Sequence, residues 1–213
     1  MKTEELIETL AARTQPVPPR ALFRRVMTAA ALGSLVTLTC VVAFYGLRKD
    51  LGTAMLGSAF WVKATFTIGV AASGLLAVQR AGRPGARLDS RLALLAMPLL
   101  FILAAGAVEL AHISASERVT VWLGQTWRTC PFSIAGLALP PLALLLLALR
   151  RLAPTRPVVA GFVAGLCAGG LAATAYGLHC PERSPAFVAT WYALGILGSG
   201  AVGATLGWKL LRW

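Results

Sequence analysis

The chain has 213 residues, 57% of them hydrophobic and 13% charged, with a mean hydropathy of +0.73. A soluble domain carries about 25% charged residues, so the polar surface here is too small to coat a water-soluble globule and no soluble catalytic domain fits. The net charge of +12 raises nucleic acid as a partner, but the basic residues cluster between long apolar stretches. That distribution makes the charge a topology signal and a match to anionic inner-leaflet lipid, with no direct nucleic-acid role.

The chain opens on a polar tail, residues 1–25. Thr3 is placed to cap a short helix, Glu4 and Glu5 fall in its first turn near the positive end of the dipole, and Leu6, Ile7 and Leu10 share one face. Pro16, Pro18 and Pro19 then stop it. A short amphipathic helix on a proline-stiffened tether suits docking into a partner's groove; a disordered or membrane-skimming leader fits the same residues equally well.

Residues 26–213 hold six apolar stretches: Val26 to Leu47, Gly57 to Val78, Leu92 to Ala111, Phe132 to Leu149, Val158 to Leu178 and Ala186 to Trp208. Each is close to the roughly 20 residues that cross a hydrocarbon core about 30 Å thick. The expected fold is therefore an all-α, six-helix transmembrane bundle. The first stretch begins late, follows Glu4, Glu5 and Glu8, and exceeds an ordinary signal-peptide core, so it reads as a retained helix. Of the 20 Lys and Arg, one set of loops and ends holds 14: Lys2, Arg13, Arg20, Arg24, Arg25, Arg80, Arg83, Arg87, Arg91, Arg150, Arg151, Arg156, Lys209 and Arg212. Basic residues flanking short loops stay cytoplasmic, which predicts both termini inside a multi-pass membrane protein.

Within the spans, the marks are those of packing. Gly161, Gly165, Gly169, Ala173 and Gly177 recur at every fourth position, as do Gly195, Ser199, Gly203 and Gly207, two ridges that predict close approach of the fifth and sixth helices. Pro98, Pro140 and Pro141 are expected to kink the third and fourth helices and free carbonyls that neighbours must satisfy. Lys63 and Glu109 are the charges inside spans. Both lie near the outer end, where they are expected to reach one another or the interface, and the empty mid-membrane weighs against an ion-coupled transporter.

Cys40 and Cys167 fall mid-span and read as small buried apolar residues. Cys130 and Cys180 stand instead at the mouths of the fourth and sixth helices, in outer loops, each followed by proline. There they can form a structural disulfide, or join His179 and His112 in a sulfur and nitrogen site for a soft or borderline metal. Regular ligand spacing is absent. A membrane thiol-redox or haem protein, and a small transporter or structural subunit, remain as alternatives.

Glu5-Leu6-Ile7 with the later Pro16-Val17-x-Pro19, Phe60-Trp61-x-Lys63, Arg83-Pro84-Gly85, Cys130-Pro131, and the run Tyr176-Gly177-Leu178-His179-Cys180-Pro181-Glu182 followed by Trp191-Tyr192 together resemble the NrsF family. The resemblance extends over essentially the whole chain through the order and spacing of short motifs. It implies a non-enzymatic, six-helix anti-sigma factor of the bacterial inner membrane, without a resident cofactor, that holds an extracytoplasmic-function sigma factor. It further implies that Cys130 and Cys180 are the family's paired periplasmic cysteines, sensing oxidants or transiently bound heavy metal. The tail from Met1 to Arg20, with Glu4, Glu5, Leu6, Ile7 and Leu10, is the implied contact for the sigma factor.

Overall fold

The computed structural model describes residues 20–83, 89–152 and 154–212 together with Thr3, Glu5, Ile7 and Glu8, the side chains of 89–92 excepted. No strand occurs among the described residues. Six helices are long and apolar enough to cross a membrane: Ala21–Tyr45, Ser58–Ala81, Ala93–His112 within the longer helix Asp89–His112, Cys130–Arg150, Pro157–Tyr176 and Pro185–Leu210. The all-helical, six-span architecture expected from hydropathy is thus the one observed. The loops around 46–57, 113–129 and 177–184 gather at one face of the bundle.

The fifth span is the most enclosed, with 67% of its membrane window buried, and the third the least, with 11%. The fifth packs against the sixth, second, fourth and first; the first pairs with the fourth, and the third leans on the second. The reason lies in the small-residue ridges. A Cβ on Gly165 would overlap the Ser199 carbonyl, one on Gly161 the Gly203 carbonyl, and one on Gly207 would stand 2.6 Å from the Pro157 carbonyl. Without side chains between them, the two backbones meet directly, and van der Waals packing holds them where lipid supplies no hydrophobic drive. On another side of the fifth span, Gly74 of the second abuts the backbone of Cys167, whose thiol points at the Ala71 carbonyl, 3.6 Å away. Cys167 is buried packing, as expected, and Cys40 is half-buried.

The proline expectation has a specific outcome. The fourth span is two helical pieces, Cys130–Leu137 and Leu139–Arg150. Pro141 has no N–H to give the Leu137 carbonyl four residues earlier, and Thr37 of the first span fills the vacancy, its hydroxyl donating to that carbonyl at 3.0 Å. Gly33, one helical turn before Thr37, has no Cβ to collide with Pro141. The third span, by contrast, runs as one helix through Pro98, whose ring sits against Gly69. Two departures from regular helix were not legible in the sequence: π-helical turns at Val41–Tyr45 and Val188–Tyr192, both at the loop-rich face.

Removing the Thr37 hydroxyl leaves a buried carbonyl without a donor, so Thr37→Val should destabilise the bundle by about 1 kcal/mol. Gly165→Leu forces the two backbones apart and should prevent a stable fold. Unfolding in mixed detergent micelles measures both, and equal stability of Gly165→Leu and the parent would show that the fifth and sixth spans do not meet as described.

Candidate functional site: a buried thiol pair

The loop after the fifth span carries Cys180 and is fastened from every side. Lys63 of the second span sends its ammonium to two of its carbonyls, Cys180 O and Glu182 O, each at 3.1 Å. Glu109 of the third span accepts from the Ser184 hydroxyl at 2.6 Å and the Ala186 N–H at 2.9 Å. Of the two outcomes left open, pairing and reaching the interface, Lys63 and Glu109 do not take the first. They grip successive parts of one loop, because the loop's unpaired carbonyls and amides are closer to hand than the opposite charge.

The two other loops of this face complete the clamp. Gly124 adopts φ +57°, a left-handed conformation open to glycine. It turns the following amides of Gln125 and Thr126 onto one oxygen of Glu182, at 2.7 and 3.0 Å, a small backbone nest for a carboxylate. A Cβ at Gly124 would meet that same carboxylate at 2.7 Å. From the first loop, the Gly46 carbonyl accepts from His179 Nδ1 at 2.9 Å, and Arg48 N–H donates to Leu178 O at 3.3 Å. Asp50 binds Arg48 at 2.7 Å and Arg183 at 3.0 Å. The hydrogen bonds from Arg48, with Arg183 adding, hold the Asp50 carboxyl far below the usual carboxylate range, and the bond to Asp50 raises Arg48 in turn.

Under this loop lie Cys130 and Cys180, both fully buried, both free thiols, and close enough to share a hydrogen bond. Cys130 is not in a loop, as the sequence suggested, but is the first residue of the fourth helix, its N–H bonded to Thr126 O at 2.9 Å. Cys180 remains in the loop, its N–H bonded to Tyr176 O at 3.0 Å. Thr126 Oγ1 stands 3.9 Å from the Cys180 sulfur. Tyr192, on the second π turn, is wholly buried; its hydroxyl has no aligned hydrogen-bond partner and interacts with the Cys180 sulfur. The hydrogen bond from Cys130 pulls the Cys180 thiol below its ordinary value; burial opposes this, and the Lys63 charge assists it. With Cys130 as donor, negative charge is favoured on Cys180, an arrangement suited to attack on an electrophile or to capture of a soft cation between two sulfurs.

The wider metal set is not assembled. Among the described residues no three His, Cys, Asp or Glu side chains converge to hold a metal. His112 is exposed on the least enclosed span and donates to its own helix, at Val108 O 2.8 Å away. His179 is turned toward Gly46 and stacks among Tyr45 and Tyr176. Of the tail residues singled out by sequence, Glu5 and Ile7 are helical and exposed, whereas Glu4, Leu6 and Leu10 lie outside the described residues. Sequence reasoning missed Lys63, Glu182 and Tyr192 as parts of the thiol site. The run from Tyr176 to Glu182 and the Trp191-Tyr192 pair marked the neighbourhood, but nothing in them showed which groups meet.

Because the thiolate is the reactive form, alkylation of Cys180 should rise with pH and reach half its plateau well below the ordinary thiol value. Cys130→Ala removes the largest cause of that lowering and should move the midpoint up toward the ordinary thiol value of about 8.5. A pH series of maleimide labelling read by peptide mass spectrometry checks this, and an unmoved midpoint would break the proposed sharing of charge.

Comparison with known proteins places the chain. The NrsF family profile, described as "Negative regulator of sigma F", matches residues 10–213. A protein of Azospira oryzae described as "Probable anti-sigma-F factor NrsF" is 43% identical over 213 residues, covering 100% of both chains. The "Anti-sigma-F factor NrsF" of Caulobacter vibrioides is 43% identical over 219 residues, again covering 100% of both. No solved structure is similar. The chain belongs to the NrsF family of negative regulators of sigma F.

Proposed function

We propose that this chain sits in the bacterial inner membrane with both ends in the cytoplasm, sequesters an extracytoplasmic-function sigma factor, and releases it when an oxidant or a soft metal modifies Cys130 and Cys180 at the periplasmic face. The observation that carries the reading is the closed geometry of the thiol pair. Both sulfurs are fully buried beneath a loop fastened to the second and third spans and to both other loops of that face. Any group added to either sulfur, or a bond drawn between them, takes space that the packed site does not have. The loop then has to shift, and it is continuous with the fifth and sixth spans, which cross to the opposite face.

Such a device has two states, and a modifying agent moves the equilibrium only by favouring one of them. A soft cation held by both sulfurs in the released state, or a disulfide that fits only there, supplies that difference. The tail is the docking segment, with Glu5 and Ile7 helical and exposed and Glu4, Leu6 and Leu10 as the further contacts that its sequence pattern offers. The clustering of 14 of 20 basic residues on the tail's side supports its cytoplasmic placement. The family's role is regulatory, and the site as built needs no resident cofactor for it.

Two experiments test the reading. The protein drawn from native membranes in mild detergent should bring a sigma factor with it, lost after brief treatment with an oxidant or soft metal; Cys130→Ser or Cys180→Ser should insert normally and keep the partner through the treatment. Full loss of the partner from both serine variants on treatment would remove the thiols from the mechanism. Deleting residues 4–10 should abolish co-purification, and persistence of the complex would place the contact elsewhere.

A further inference from the structure

Lys63 is 4% exposed, inside the second span, and holds two loop carbonyls at 3.1 Å with its ammonium 5.7 Å from the centre of the Tyr192 ring. Among the described residues no carboxylate comes within 4.0 Å of this buried cation. Carbonyl dipoles and a ring face solvate an ammonium without cancelling its charge, and an uncancelled charge in a low-dielectric site is costly. One of the two carbonyls it grips is that of Cys180, so the residue Lys63 holds also carries a sulfur able to bear negative charge. Beside it opens a cavity of about 160 Å³, lined by Lys63 itself together with Arg48, Ser58, Glu182 and Arg183.

We propose that Lys63 is a positioning residue that reads the charge on the thiol pair and passes it to the second span. While a sulfur bears negative charge, the ammonium stays pinned against the loop at Cys180 and Glu182. When that charge is consumed, the ammonium is left as an unbalanced buried cation and withdraws toward the cavity, freeing both carbonyls and unfastening the loop from the second span. This rests on the thiol-sensing reading above but separates charge from bulk. A substituent on sulfur acts because it neutralises, over and above the space it fills.

The test uses the full chain in lipid nanodiscs, with adducts on Cys180 confirmed by peptide mass spectrometry. In each case the thiolate attacks the sulfenyl sulfur of a methanethiosulfonate, a mixed disulfide forms, and methanesulfinate leaves. The 2-hydroxyethyl reagent leaves a neutral adduct; the 2-sulfonatoethyl reagent leaves one of similar length that keeps a negative charge. Both adducts should speed amide exchange over residues 178–186 through their bulk, and the neutral one about tenfold more than the charged one. In Lys63→Gln, a donor without charge, the two adducts should give equal exchange, while Lys63→Arg should restore the difference. Equal exchange for the two adducts in the unsubstituted protein would overturn the proposal, and that comparison stands even if Lys63→Gln does not insert. No sigma factor takes part in the measurement, so its failure and a failure of the anti-sigma reading are distinguishable.

Discussion

Inside a bilayer there is no water to rescue an unpaired polar group, and that constraint organises this bundle from its core to its loops. Thr37 of the first span answers a carbonyl that Pro141 of the fourth has left open. Lys63 and Glu109, each too polar for lipid, turn inward and take up the carbonyls, hydroxyl and amide of a single loop. These polar residues of the spans thus fasten particular segments together.

The thiol site inherits its closure from this arrangement. The glycine ridges draw the fifth and sixth spans into backbone contact, which fixes the short loop between them. The loop's position over the first residue of the fourth helix then brings Cys180 to Cys130, 50 residues apart in sequence and adjacent in space. A buried cation holding the Cys180 and Glu182 carbonyls and a carboxylate seated in a backbone nest fasten the loop over the thiols. The same few groups surround the sulfurs and tie the loop to the spans.

Seen this way, the two π turns have a place. Each sits at the loop-rich face, at Val41–Tyr45 and Val188–Tyr192, and each brings a tyrosine to the neighbourhood of the site. Tyr45 meets His179 and Tyr176 edge-on, and Tyr192 closes over Lys63 and lies by Cys180. An extra residue in a helical turn re-aims side chains that a regular helix would point elsewhere.

What the sequence determined by itself was everything that depends on composition along a line. Six apolar runs of membrane length, two ridges of small residues and prolines that must free a carbonyl are local patterns, and the bilayer converts each directly into structure. The distribution of basic residues and the placing of Cys130 and Cys180 at one end of the bundle were legible for the same reason. Only the tertiary structure decided which polar groups meet. Lys63 chooses loop carbonyls over Glu109, His112 and His179 turn away from the sulfurs, and Thr37 finds Leu137 across 100 residues. Those partners are selected by distance after the helices have packed, and hydrogen bonds are satisfied by whichever donor or acceptor is then within reach, a fact that no spacing along the chain encodes.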